Sequence, residues 1–117
     1  MRQPRLPMRA LPSLAAAALC AAAVPALAVD AHKLWTTNCS ECHGKDGRGR
    51  TDEGKRLKIV DLSNPQIQDS FTDEQAFRII KKGLKDDTGP VMHNTSYRLT
   101  DEEVAALVRH VRSLRRK

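Results

Sequence analysis

Two of the chain's three cysteines lie close together, and a histidine follows them directly. Cys39, Cys42 and His43 occur in the stretch NCSECHGKDGRG, residues 38–49. If this stretch is helical, Cys42 and His43 follow Cys39 by three and four positions, so that all three side chains share one face. Two thiols and one imidazole on a single face are suited to holding one ligand together.

The C-x-x-C-H spacing is the attachment pattern of c-type haem. In this chemistry each thiol bonds covalently to a vinyl group of the porphyrin, and the adjacent imidazole reaches the iron from the proximal side. The motif therefore predicts covalent haem c at Cys39 and Cys42, with His43 as the proximal iron ligand.

Three other uses of the cysteine pair fit the residues less well. A disulfide between Cys39 and Cys42 would close a very short loop and staple nothing distant. A thioredoxin-like redox pair would lie near a strand–helix–strand pattern, and none is visible. A zinc site needs four ligands, and the other histidines, His32, His93 and His110, fit no finger spacing.

The N-terminal residues have the layout of a secretory signal peptide. Residues 1–9 contain three arginines and no acid, residues 10–29 contain no charge, and residues 26–28 read ALA. We therefore predict a signal peptide over residues 1–28, cleavage after about Ala28 and a periplasmic location. Cys20 belongs to the apolar part of this signal.

A retained membrane anchor is the alternative, because about 20 uncharged residues can just span a bilayer. The stretch is mostly alanine, however, and contains Pro12 and Pro25, which makes it weakly hydrophobic for a permanent span. Contact with a membrane is expected only if this segment is retained.

The chain that remains after cleavage is short and poor in large apolar residues. Its 89 residues hold one Trp, one Tyr, two Phe and a single methionine, Met92, with a net charge of +3. A domain of this size often needs a staple to complete its core. A covalently held haem would meet that need.

Three segments have helical patterns, and no run alternates as a strand does. The first follows the N-cap Asp30 and covers residues 31–43. The second begins with a capping box of Thr72 and Gln75 and ends at Gly83.

The third helix begins at Thr100 and carries an amphipathic stripe. The stretches 50–69 and 85–98 are predicted as ordered loops, which makes the class all-α. The stripe consists of Val104, Leu107, Val108, Val111 and Leu114.

These motifs, in this order, resemble those of a small class I cytochrome c. They are WTTNCSECHGKDGRGRT, the pair Asp61-Leu62, a helix ending in IIKKG, a single methionine and LTDEEVAALVRHVRSL. The resemblance covers nearly all of residues 30–117 and implies one monohaem domain over residues 29–117. It also implies the cytochrome c fold, with three main helices and long loops wrapped around one covalently attached haem.

In this family a methionine well downstream of the motif usually binds the other face of the iron. The resemblance therefore implies that Met92 is the distal ligand. The family commonly has proline after this methionine, whereas this chain has His93, which is a second candidate for that position.

The resemblance also assigns packing roles. It implies that Leu34 and Trp35 pack against the last helix and the haem edge. His110 stands where the family often has tyrosine, so we expect it at the junction of the first and last helices. The candidates to pair with a haem propionate are Arg48, Arg50 and Lys58, among which the sequence does not choose.

Ligation of the iron on both faces would leave no open coordination position, which favours outer-sphere electron transfer over oxygen binding or enzymatic activity. We expect a non-enzymatic electron carrier whose partners are redox proteins with acidic docking surfaces. Nucleic acid is not expected as a partner, because the chain is exported and its basic residues have no interleaved aromatics. The basic clusters are Lys55-Arg56-Lys58 and Lys81-Lys82-Lys85.

Two other roles fit the same residues. A haem-c subunit dedicated to one dehydrogenase or oxidase complex would form a stoichiometric, salt-insensitive complex. A ligand-sensing haem protein with a labile distal ligand would bind carbon monoxide readily when reduced.

Overall fold

The computed structural model describes residues 27–87, 89–93 and 98–117. Most of the predicted signal peptide, residues 1–26, lies outside this part of the chain. The described helices are α1 (Ala31–Asn38), α2 (Ser40–His43), α3 (Asp52–Arg56), α4 (Pro65–Asp69), α5 (Asp73–Lys82) and α6 (Asp101–Ser113). The described strands are β1 (Leu84–Asp86) and β2 (Gly89–Met92). None of these helices is long and apolar enough to cross a membrane.

The ends of the three main helices follow the predicted capping residues. The Asp30 carboxylate accepts the N–H of Lys33 at the start of α1. Thr72 and Thr100 begin α5 and α6, each in a complete capping box. Gly83 ends α5 with a φ of +80°, a backbone conformation that glycine adopts without strain.

The core lies where α1 and α5 pack against α6. Trp35 of α1 is 3% exposed, and Val104 and Leu107 of α6 are fully buried. Leu34 and Leu114 pack at the edge of this core, so the predicted stripe and the predicted contact of α1 with the last helix are confirmed. The buried residues of the core are Trp35, Ala76, Ile80, Leu99, Val104, Leu107, Val108 and Val111.

The first predicted helix is not continuous. The backbone at Cys39 has φ −124° and ψ −34°, which separates α1 from α2. Helical hydrogen bonds nevertheless continue across the break, since the N–H of Cys39 donates to the Trp35 carbonyl and the N–H of His43 donates to the Cys39 carbonyl. The cysteine motif therefore stays joined to α1 by backbone hydrogen bonds across the break.

The prediction that residues 50–69 form a loop was wrong in part. Two single-turn helices, α3 and α4, lie in this stretch and begin at the N-caps Thr51 and Asn64. Each cap side chain accepts a backbone N–H of its helix, and Pro65 occupies the first turn of α4. Helices this short have no apolar periodicity, so only their caps could have revealed them.

The second predicted loop, residues 85–98, contains strand residues that the sequence reading excluded. Strands β1 and β2 pair antiparallel, with Leu84 opposite Met92 and Asp86 opposite Gly89. The strands have three and four residues, too few for an alternating pattern to show. The hairpin therefore places Met92 beside Leu84, the residue that follows the C-cap of α5.

Candidate functional site

The two cysteines lie on one short segment: Cys39 joins α1 to α2, and Cys42 lies within α2. Neither thiol forms a disulfide within the described residues. Burial raises the pKa of the Cys39 thiol to about 11. The pKa of Cys42 is also raised, first by burial and then by the carboxylates of Glu53 and Glu41. Both side chains are therefore neutral thiols at pH 7, which resist oxidation better than thiolates do.

The His43 side chain is partly buried, and this burial lowers the pKa of the imidazole. Its Nδ1 atom is buried and has no hydrogen-bond partner among the residues described. A neutral imidazole with an unengaged nitrogen is the form of histidine that binds metal.

The backbone after His43 is held by Trp35 and by a tight turn. The indole N–H of Trp35 donates to the Gly44 carbonyl over 3.0 Å, and this hydrogen bond is buried. The N–H of Gly49 donates to the His43 carbonyl over 2.7 Å. Gly44 has a φ of +79°, which permits the reversal of the chain directly after the motif.

Helix α3 and its N-cap also contact the motif, at the Cys42 carbonyl. The Thr51 hydroxyl donates to the Cys42 carbonyl over 3.0 Å and accepts the N–H of Gly54. A Cβ atom on Gly54 would lie only 2.4 Å from the carbonyl oxygens of Cys42 and Gly49. The sequence reading did not identify Thr51 or Gly54, although the Thr-Asp-Glu start of α3 was a usable capping signal.

Met92 and Cys39 pack against the same core. Both are partly buried and contact the buried cluster formed by α1, α5 and α6. His93, the alternative distal ligand, is exposed at the end of β2. The structure thus brings Met92, and not His93, to the core that supports the cysteine motif.

The remaining predicted residues are placed as follows. The ring of His110 lies 5.1 Å from that of Trp35 and 6.1 Å from that of His32, so the predicted junction of the first and last helices is confirmed. Arg48 is half-buried and pairs with Asp46 at 3.7 Å. The other two candidates for a propionate, Arg50 and Lys58, are exposed.

Comparison with known proteins identifies the family. The Cytochrome c family model matches residues 28–115, and the chain therefore belongs to the cytochrome c family. Its function is haem-based electron transfer, and its cofactor is a covalently attached haem c. Cys39 and Cys42 fit the attachment motif of that cofactor.

Two solved structures support this assignment. The chain is 33% identical to the KustC0563 c-type cytochrome, with a TM-score of 0.68 over 75% of this chain and 100% of that chain. It is also 33% identical to a mutant of Kustc0563, with a TM-score of 0.65 over 74% of this chain and 100% of that one. No curated protein matches the chain.

The donor set fits a covalent haem better than it fits the alternatives. Two free thiols and a buried imidazole with an orphaned Nδ1 stand within one short segment. Among the described residues no group of three or more His, Cys, Asp or Glu side chains could hold a metal ion by itself. The zinc and disulfide alternatives therefore find no support in this part of the chain.

Proposed function

We propose that the protein carries single electrons in the periplasm through haem c, bound covalently at Cys39 and Cys42 and ligated by His43 and Met92. When bound, haem c supplies an iron that cycles between the ferric and ferrous states. The observation that carries the proposal is the partly buried His43 imidazole, with an unpartnered Nδ1, directly after two free thiols.

The two thioether bonds and the two iron ligands have separate tasks. Cys39 and Cys42 fix the porphyrin to the segment that joins α1 to α3, so the cofactor cannot dissociate. The Trp35 ring packs against the His43 imidazole with centroids 5.5 Å apart and would hold it in place as an iron ligand. Partial burial of Cys39 and His43 would limit the access of water and favour a higher potential.

Met92 is the better candidate for the distal position because the hairpin holds it. Its strand pairs with β1, which starts directly after Gly83, so the position of Met92 is tied to the end of α5. The chain that follows the hairpin is also tied to α5, because the Lys81 ammonium donates to the Leu99 carbonyl and pairs with Asp101. A thioether held in this way raises the potential relative to a second histidine.

Ligation of the iron by both His43 and Met92 would favour an electron carrier over an enzyme. With His43 and Met92 both bound, no position is left for a substrate, and the protein's part is to tune the potential and admit a partner. The uncharged segment and the small residues before Asp30 support export, which covalent haem attachment accompanies.

The partner is a redox protein with an acidic docking surface. Lys55, Lys58, Lys82 and Lys85 are exposed. Two members of the predicted clusters are already engaged within the chain, Arg56 with Glu53 and Lys81 with Asp101. The electron-transfer rate with such a partner should therefore fall as salt rises, because screening weakens steering by the remaining lysines.

The first experiment is an absorption spectrum of the protein produced with periplasmic haem attachment, oxidised and reduced, together with its intact mass. A mass increased by one haem and a sharp α-band on reduction are expected. A haem-free mass, two hydrogens lighter than the dithiol chain, would instead indicate a Cys39–Cys42 disulfide and overturn the proposal.

The distal ligand is tested by Met92→Leu with His93→Ala as the matched control. We expect the Met92 variant to lose the weak far-red band of methionine–iron ligation and to bind carbon monoxide when reduced, because its distal position is open. The His93 variant should keep the wild-type spectrum. The opposite result would assign the distal position to His93.

A further inference from the structure

We propose that Trp35 is a positioning residue for His43, and that its indole sets both the orientation of this ligand and the reduction potential. The inference rests on the proposed function, because it assumes that His43 binds the haem iron. It assigns to Trp35 a task beyond filling the core between α1 and α6.

The first observation is a directional contact. The indole N–H donates to the carbonyl of Gly44, the residue that directly follows His43, over 3.0 Å. This hydrogen bond is buried, so its loss would leave a carbonyl without water to replace the donor. Because Gly44 has a φ of +79° and the next turn depends on it, a shift of this carbonyl would turn the His43 backbone as well.

The second observation is a ring contact. The Trp35 and His43 rings lie with centroids 5.5 Å apart at an interplanar angle of 43°. Trp35 itself is only 3% exposed, so it covers the imidazole without admitting water. Since water stabilises the more highly charged ferric state, a ligand kept dry favours the ferrous state and a higher potential.

The third observation is that α6 holds Trp35 itself in place. Its ring lies 5.1 Å from that of His110 on α6, and it belongs to the buried core with Val104 and Leu107. The indole therefore connects the rigid crossing of α1 and α6 to the iron ligand. A phenylalanine could occupy the same core position, but it could not hold the Gly44 carbonyl.

The test compares the reduction potentials of the holoproteins carrying Trp35→Phe, Trp35→Leu and the control Val108→Ala. Val108 is a core residue of α6 that lines the groove toward α5. We expect Trp35→Phe to shift the redox equilibrium at least threefold toward the ferric form, about 28 mV at 59 mV per decade. Trp35→Leu should shift it further, and Val108→Ala should change it less than twofold.

A ligand-specific readout accompanies the potential. The paramagnetically shifted NMR signals of the His43 ring should move in Trp35→Phe and remain in place in Val108→Ala, although both variants lose stability. Equal potentials and unmoved His43 signals in Trp35→Phe would show a purely structural role and overturn the inference alone. Absence of covalent haem from the wild-type protein would overturn the proposed function and the inference together.

If the variants do not incorporate haem, a measurement on the wild-type protein still tests the inference. The Trp35 indole proton should exchange slowly with solvent, and its chemical shift should differ between the two oxidation states. Exchange at the rate of an exposed indole would contradict the hydrogen bond to Gly44 and overturn the inference.

Discussion

Of the glycines around the cysteine motif, Gly54 has the least space for a side chain. Its α-carbon faces the carbonyl oxygens of Cys42 and Gly49, where a Cβ would approach to 2.4 Å. These atoms belong to backbone and cannot swing aside as a flexible side chain would. The absence of a side chain at Gly54 is therefore what allows α3 to close on the motif.

Replacing Gly54 by alanine should lower the free energy of unfolding by about 1–3 kcal/mol, the usual cost of overpacking. The yield of covalent haem should fall as well, because the Cys42 backbone must shift. Urea unfolding and the ratio of haem to protein measure the two effects. Lys55→Ala, an exposed neighbour on α3, should change stability by less than about 0.5 kcal/mol. Equal stability of the two variants would contradict the close approach.

The crossing of α1 and α6 is the helix contact that holds Trp35 in place beside the motif. It contains the rings of His32, Trp35 and His110 in a contiguous series. The Nε2 atom of His110 is buried and finds no partner within the described ranges. Burial, together with the neighbouring His32, lowers the pKa of His110. Protonation of His110 therefore opposes the packing of the two helices.

The helix crossing should make stability depend on pH. The unfolded chain protonates His110 near its ordinary pKa of about 6.5, whereas the folded chain does so only at lower pH. The contribution is present above the unfolded pKa and is lost as pH falls through the lowered one. We expect the free energy of unfolding to fall below about pH 6.5 in the wild type and to fall less in His110→Phe, as measured by urea unfolding across pH.

The His32→Ala variant is the control for this pH dependence. It removes the neighbouring imidazole and should raise the pKa of His110, as measured by NMR titration. An unchanged pKa would show that His32 does not act on His110.

A second element-scale contact joins α6 to the chain between α4 and α5. The Arg112 guanidinium donates to Asp73 over 2.7 Å and to the carbonyls of Gln68 and Phe71 over 2.5 and 2.8 Å. The Gln68 amide in turn donates to the carbonyls of Leu62 and Val111. The planar guanidinium of Arg112 thus holds the connection from α4 to α5 against α6.

Arg112→Ala should cost about 2–3 kcal/mol of unfolding free energy, because several backbone carbonyls lose a charged donor together. Arg112→Lys should restore little of it, since an ammonium cannot reproduce the planar fork. The exposed Arg109→Ala on the same helix should stay within about 0.5 kcal/mol of the wild type. Chemical unfolding measures these free energies. A loss for Arg112→Ala no larger than that for Arg109→Ala would contradict the stabilising role of the Arg112 guanidinium.

At the scale of the whole molecule, the core is small for a folded domain. Within the described residues, eight buried apolar residues form its cluster, and partly buried side chains, Cys39 and Met92 among them, surround it. Both of these lie where the cofactor is expected. Because a chain of this length buries little apolar surface by itself, we expect the haem to complete the folded interior.

Removing the cofactor should therefore destabilise the entire chain. The double variant Cys39→Ser with Cys42→Ser should lose covalent haem and at least about 3 kcal/mol of stability, as expected when a tightly bound group is withdrawn from the native state. Circular dichroism and hydrogen exchange measure the loss of helix. Glu41→Ala, an exposed change inside the motif, should keep both haem and stability. A haem-free variant as stable as the wild type would contradict this role.

Local spacing alone was sufficient to predict the attachment motif and the three main helices. The grouping of Cys39, Cys42 and His43 is a matter of positions a few residues apart, and so are the capping boxes and the α6 stripe. Each of these patterns involves residues within one or a few helical turns, so it can be recognised directly in the sequence.

Contacts between distant parts of the chain were decided only by the tertiary structure. The approach of Gly54 to Cys42, the pairing of Met92 with Leu84 and the indole contact to Gly44 join residues that share no local pattern. Whether a tryptophan only fills a core or also holds a ligand in place depends on which carbonyl lies within reach of its N–H. That carbonyl is selected by the packing of α1 on α6, which no spacing along the sequence specifies.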